Sequence, residues 1–201
     1  MNTTTSQWLA LAGAIVCCAV AQAGEGNAPP ASKAARHPAA AIRPVASFQE
    51  IMLAEVNPAA SFVWNAVSTE STASGTIEHR PNSEQDWLAV RHQALVLIEA
   101  GNLLLIEGRP IVARGATVKD AEQPGILGPE QIRRAMDADR AGLVRLVHAL
   151  QDATQKVIEA TDARDADALS EAGGNIDEAC ETCHKAYWYP QAKQPAGATT
   201  R

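Results

Sequence analysis

At 201 residues the chain is long enough for one domain with a real core. Its 23 acidic and 17 basic side chains leave a net charge of −6, which excludes a nucleic-acid binder working by electrostatic attraction. No stretch alternates strand and helix patterns, which excludes a fold built from βαβ units.

Residues 1–23 carry the pattern of a secretory signal peptide. Trp8 to Val20 is apolar, and Ala21-Gln22-Ala23 forms a small-residue cleavage site before Gly24. The stretch is short for a membrane-spanning helix, although Met1 to Gln7 lacks the usual Lys or Arg and an uncleaved anchor is the alternative. The segment holds no charged side chain, so its removal leaves the net charge unchanged. Export to the bacterial periplasm, with no stable membrane insertion once processed, is the expectation. Residues 24–43, with Pro29-Pro30 and Pro38, read as a disordered leader.

Every strong pattern after that is helical. Phe48, Ile51, Met52, Val56, Ala59, Val63 and Val67 recur at three- and four-residue spacing, predicting a first helix from about Pro44 to Val67. Pro44 or Ser47 can open it, and Pro58 should kink it. Residues 68–80 read as a polar loop. A second helix is expected from about Ser83 to Glu107, capped at Ser83 and striped by Trp87, Val90, Ala94, Leu97, Ile98, Gly101, Leu104 and Leu105. Residues 108–128 form a long connection of the kind that is often functional or mobile. A third helix opens at Pro129 and runs towards Ala163, with a break near Asp137-Ala138-Asp139. A fourth runs from about Asp165 to Tyr187, with Gly173-Gly174 inside it for close approach of a backbone or a cofactor. The tail 191–201 reads as flexible. The predicted architecture over residues 44–190 is all-α, an antiparallel four-helix bundle.

The last helix contains Cys180-Glu181-Thr182-Cys183-His184. C-x-x-C-H is the attachment signature of a c-type haem: two thiols form thioethers and the histidine ligates iron. On a helix the three side chains stand at i, i+3 and i+4 and share one face. A thioredoxin-like dithiol would need a βαβ context. A zinc site would need four ligands, and the other cysteines, Cys17 and Cys18, fall in the signal segment. A simple disulfide would leave His184 without a role.

A haem motif on the final helix of an exported four-helix chain resembles the class II cytochromes c, the cytochrome c′-like family. The likeness spans roughly residues 44–190 and rests on Cys180 to His184, the closely following Tyr187, and Gln49-Glu50-Ile51-Met52 in the first helix. In the low-spin branch of that family a methionine early in helix one binds iron opposite the histidine; in the high-spin branch that position is apolar and does not ligate. The resemblance to the low-spin branch implies one haem c held by Cys180 and Cys183, His184 as proximal and Met52 as distal ligand, and Tyr187 against the porphyrin. By periodicity alone Met52 is equally a core residue. Met136 is the rival methionine, and His92 and His148 are the rival histidines. Arg91, Arg140 and Arg145 are candidates for the haem propionates, while Trp64 and Trp87 read as core anchors; Trp188 and Tyr189 read as packing at the end of helix four, with cover of a haem edge as the alternative.

Such a protein carries single electrons and is not an enzyme. Its partners are redox proteins, docked briefly and favouring basic patches against an acidic surface; a homodimer is possible, as in other class II cytochromes. The alternative is a five-coordinate module that binds small gases such as NO or CO.

Overall fold

A computed structural model describes residues 42–190. The signal segment, the leader up to residue 41 and the tail 191–201 lie outside the described residues.

Ser47 opens the first helical run. Its hydroxyl accepts from the Glu50 N–H (3.2 Å), and the Glu50 carboxylate accepts the Ser47 N–H (2.7 Å), a reciprocal capping box. Residues 42–46 stay outside the helix, so of the two openers read from the sequence it is Ser47 that acts. Helix α1 (Phe48–Ile51) passes into a π-helical turn (Met52–Val56) and then α2 (Asn57–Ala66). Pro58 explains the turn. Lacking an N–H and crowding the carbonyl four residues back, it cannot sit in a regular α ladder. The chain widens just ahead of it, and the Asn57 N–H reaches back five residues to the Met52 carbonyl.

Residues 68–80 are not a loop. They form a hairpin, β1 (Ser68–Thr72) antiparallel to β2 (Gly75–His79), with Ser68 opposite His79 and Thr72 opposite Gly75. The Thr72 hydroxyl donates to the Gly75 carbonyl (2.8 Å), and Gly75 adopts φ +133°, open to glycine. The ribbon is exposed on both faces, so it lacks the apolar alternation that reveals a half-buried strand.

Helix α3 (Glu84–Leu104) starts at Ser83, whose hydroxyl accepts the Asp86 N–H (3.2 Å), and ends earlier than the Glu107 expected. Helices α4 (Pro129–Ala138) and α5 (Arg140–Ala163) are separated at Asp139, where the break was expected. The Asp139 carboxylate folds over α5 and accepts the Gly142 N–H (2.8 Å). A Cβ at residue 142 would lie 1.9 Å from that carboxylate, so only glycine fits. Helix α6 (Ala166–Tyr187) follows after Arg164, at φ +57°, and the Asp165 cap.

Contacts at both ends fix how the long helices run. Arg164, just past α5, holds Glu84 at the start of α3 (2.6 Å), and Gln151 in mid-α5 donates to the Ile98 carbonyl (2.9 Å). Arg140, at the start of α5, donates to the Leu105 carbonyl just past α3. The two helices are therefore antiparallel. Tyr187 at the end of α6 donates to the Asp139 carbonyl at the start of α5 (3.1 Å), so that pair is antiparallel too. Leu97, Ile132, Leu169 and Ile176 are the largest side chains fully enclosed between them. Burying each stabilises by about 1.5–3 kcal/mol.

The connection 105–128 is built into this core. Arg109 is only 4% exposed and donates to the carbonyls of Leu103 (3.1 Å) and Ala46, while its own carbonyl accepts from Arg133. The Pro110 and Ile111 carbonyls accept the N–H groups of Phe48 (2.7 Å) and Gln49 (2.9 Å), donors that the start of a helix cannot satisfy internally. No helix among the described residues is long and apolar enough to cross a membrane.

Candidate functional site

One cavity of about 370 Å³ gathers the residues on which the sequence reading turned. Met52 contributes from the π turn, Cys180, Cys183 and His184 from the last turns of α6, and Tyr187 from its end. The α6 side chains arrive together because i, i+3 and i+4 share a helix face. Met52 arrives because the α1–α2 run packs against that face, fixed at its far end by Trp64, whose indole N–H donates to the Gly173 carbonyl (2.9 Å). The lining is largely apolar, with Phe48, Leu53, Val56, Val147 and Leu150 among it.

Cys180 and Cys183 are free, half-buried thiols and not a disulfide. Burial pushes Cys180 up to about 11 and Cys183 up to about 12, with the neighbouring Asp177 and Cys180 respectively adding to it. Both thiols are thus neutral at pH 7. Burial also lowers the His184 pKa, against a smaller opposing pull from Glu181, and favours the neutral imidazole that can ligate a metal. Tyr187 is buried, and its hydroxyl is occupied by Asp139.

The rest of the lining was less legible. Trp64 belongs to the cavity and not only to the core. Met136 of α4 also lines it, so the second methionine is a neighbour of the first in space. Trp188 and Tyr189 line it as well, beyond the end-packing expected of them, with the rings of Trp188 and Tyr189 centred 6.5 Å and 6.0 Å from that of His184. The Tyr189 hydroxyl donates to Glu181 (2.5 Å), and that bond holds the Glu181 carboxyl below its usual range. Lys119, Asp120 and Ile126 enter from the long connection, for which the sequence offered only its length.

The remaining candidates lie outside the cavity lining. Arg91 pairs with Asp162 (3.1 Å) and Arg140 with the Leu105 carbonyl at the end of α3, while Arg145 stands close enough to the cavity-lining Tyr187 to oppose the rise of its pKa. His79, His92 and His148 are exposed and away from it. Gly173 admits the Trp64 indole, not a backbone or a cofactor: a Cβ there would lie 3.3 Å from the ring. No cluster of three or more His, Cys, Asp or Glu suited to a metal ion occurs among the described residues.

Residues 128–188, covering α4, α5 and α6, match the family model described as Cytochrome C'. The match supports a cytochrome c′-like class II cytochrome, and with it a c-type haem protein of mostly helical fold. The family implies a covalent haem c, and Cys180 and Cys183 both fall within the matched span. Met52 falls outside it. No curated protein and no solved structure matches the chain. The residues present fit the group: paired neutral thiols, a neutral imidazole on the same helix face, and an apolar cavity beside them.

Proposed function

We propose that residues 44–190 form an antiparallel four-helix bundle holding one haem c, and that the exported protein carries single electrons in the bacterial periplasm. Cys180 and Cys183 would hold the haem as thioethers, with His184 and Met52 as the axial ligands and Tyr187 at its edge. The observation that carries this reading is the single cavity shared by both thiols, His184 and Met52, residues 128 positions apart in sequence at the closest (Met52 and Cys180). When bound, the haem supplies a one-electron couple, which a His/Met pair poises towards the reduced form.

The chain's own residues do the rest. The helix geometry of α6 presents the two thiols and the imidazole together. Apolar side chains such as Phe48, Val56 and Leu150 exclude water and favour the state of lower charge. Tyr187, tied to Asp139, and Tyr189, tied to Glu181, fix the aromatic wall around His184. Brief docking of redox partners, without catalysis of a bond change, follows from such a role.

A second reading has a specific observation in its favour: the matched family is that of cytochrome c′. In it the iron has no sixth protein ligand, Met52 merely packs, and the cavity admits NO or CO. Absorption spectra of the holoprotein in both oxidation states separate the two. The Met/His reading expects a low-spin reduced spectrum that ignores carbon monoxide at modest concentration. It further expects Met52→Ala, and not Met136→Ala, to change it. A Met52→Ala spectrum identical to that of the parent would sink the Met/His assignment. Cys180→Ala with Cys183→Ala should leave any haem extractable by acid and organic solvent.

A further inference from the structure

We propose that Gln49 is a positioning residue that fixes the segment Thr117–Leu127 as a strap across the cavity, and so sets how fast small ligands reach the site. The inference rests on the haem reading above.

The strap is fastened at both ends to the two helices that bear the proposed axial ligands. At one end stands Gln49, one turn before Met52. Both halves of its carboxamide are used: the NH2 donates to the Thr117 carbonyl (3.1 Å), and the side-chain oxygen accepts the Lys119 N–H (2.6 Å). This is the pairing a neighbouring strand would offer, supplied by one side chain. It clasps Val118, which is 2% exposed and acts as the apolar peg of the segment. At the other end the Leu127 N–H donates to the Trp188 carbonyl (2.9 Å), four residues past His184.

Between the two fastenings the backbone hydrogen bonds of the segment close upon itself. Ala121 bonds back to Val118 (3.2 Å), Gln123 to Asp120 (2.9 Å) and Ile126 to Gln123 (3.3 Å), with Asp120 at φ +58° and Gly125 at φ +94° turning the chain. Lys119, Asp120 and Ile126 of this stretch line the cavity, as does Gln49 itself. Residues 120–125 are otherwise exposed. Among the described residues the wall is hydrogen-bonded to the helices only at these two attachments, where Gln49 supplies the one side chain, while Val118 and Ile126 add apolar packing against the core. A hydrocarbon or a carboxylate at position 49 cannot reproduce it: the first offers neither bond, and the second sets an acceptor against the Thr117 carbonyl.

The test uses Gln49→Leu, which keeps the bulk and helix propensity of the side chain, and Gln49→Glu, which keeps its shape. Two quantities are read on the full chain: amide hydrogen exchange, and the rate of carbon monoxide uptake by the reduced protein, the latter with each Gln49 variant compared in a shared Met52→Ala background so that the sixth iron position is open. Gln49→Leu should speed exchange at Lys119 to Ile126 by roughly tenfold or more, from loss of two net hydrogen bonds, while amides in α3 and α5 keep their protection. Carbon monoxide uptake should rise by a similar factor. Gln49→Glu should move both in the same direction. Unchanged exchange in the segment would show that Gln49 does not hold it. Faster exchange with an unchanged uptake rate would show that the segment does not govern access. Either result overturns the proposal. A general rise in exchange that includes α3 and α5 would assign Gln49 a merely structural role and overturn it too. Failure of the Met52→Ala experiment leaves these outcomes readable, because the exchange arm needs no particular sixth ligand.

Discussion

Trp64 and the two adjacent glycines of α6 show how far a single atom decides the sign of a substitution. Glycine inside a helix costs about 0.5–1 kcal/mol relative to alanine. At Gly174 nothing lies within 4 Å of an added Cβ, so Gly174→Ala should stabilise by about that amount. At Gly173 the added carbon meets the Trp64 ring at 3.3 Å, and the indole is pinned by its own bond to the Gly173 carbonyl. It cannot retreat without losing that bond, so Gly173→Ala should destabilise. Urea midpoints of the two variants check the pair; equal shifts would mean that the indole moves freely. Trp64→Phe should cost about 0.5–1.5 kcal/mol for the bond alone, and it should also perturb the haem spectrum, since Trp64 lines the cavity. From sequence Gly173 and Gly174 look alike. Which one faces a neighbour depends on the approach of α2, and no local signal carries that.

Among the elements, the hairpin and the start of α3 make the most separable contributions. The β1–β2 ribbon is exposed apart from the half-buried Ser68 and Thr72, and its hydrogen bonds are chiefly its own. Replacing residues 69–78 by a short Gly-Ser turn should leave the haem spectrum unaltered and shift stability by well under 1 kcal/mol, because loop-closure entropy changes by only about 0.6 kcal/mol per doubling of length. A large loss of stability would mean that the ribbon supports α2 or α3. At the start of α3, the Asp86 carboxylate accepts the N–H groups of Asn82 (3.1 Å) and Ser83 (3.0 Å), and these bonds lower its pKa. A group whose folded pKa is depressed adds stability that is fully present above its ordinary value, here 3.8, and lost as pH falls through the lower folded value. Asp86→Asn should therefore flatten that part of the acid limb of a plot of melting temperature against pH. A plot parallel to that of the parent would show the cap to be unimportant. The capping signals were legible: Ser47, Ser83 and Pro129 stand where helices begin. The π turn was not, because Pro58 announces that the ladder must break but not whether the chain kinks or widens.

For the molecule as a whole, the ion pairs among the described residues lie at the surface, where each contributes at most about 1 kcal/mol. Added salt weakens them but also relieves the self-repulsion of a net charge of −6. The melting temperature should therefore move by only about 2 °C between low and moderate salt, and a steep salt dependence would reveal an electrostatic contribution that the packing does not suggest. The helical stripes and the C-x-x-C-H face could be read directly, since both are periodic and local. The hairpin could not, having no buried face, and neither could the inner role of residues 105–128. There the decisive residue is Arg109, a charged side chain in a Gly- and Pro-containing stretch that reads as solvent-facing. Its guanidinium and carbonyl instead join the end of α3, the approach to α1 and the side of α4. This matters for anyone seeking a smaller haem carrier. The stretch looks like the natural place to trim, yet it is the keystone on which two helix ends and the side of a third helix rest. A minimised protein would have to shed the β ribbon and keep the loop.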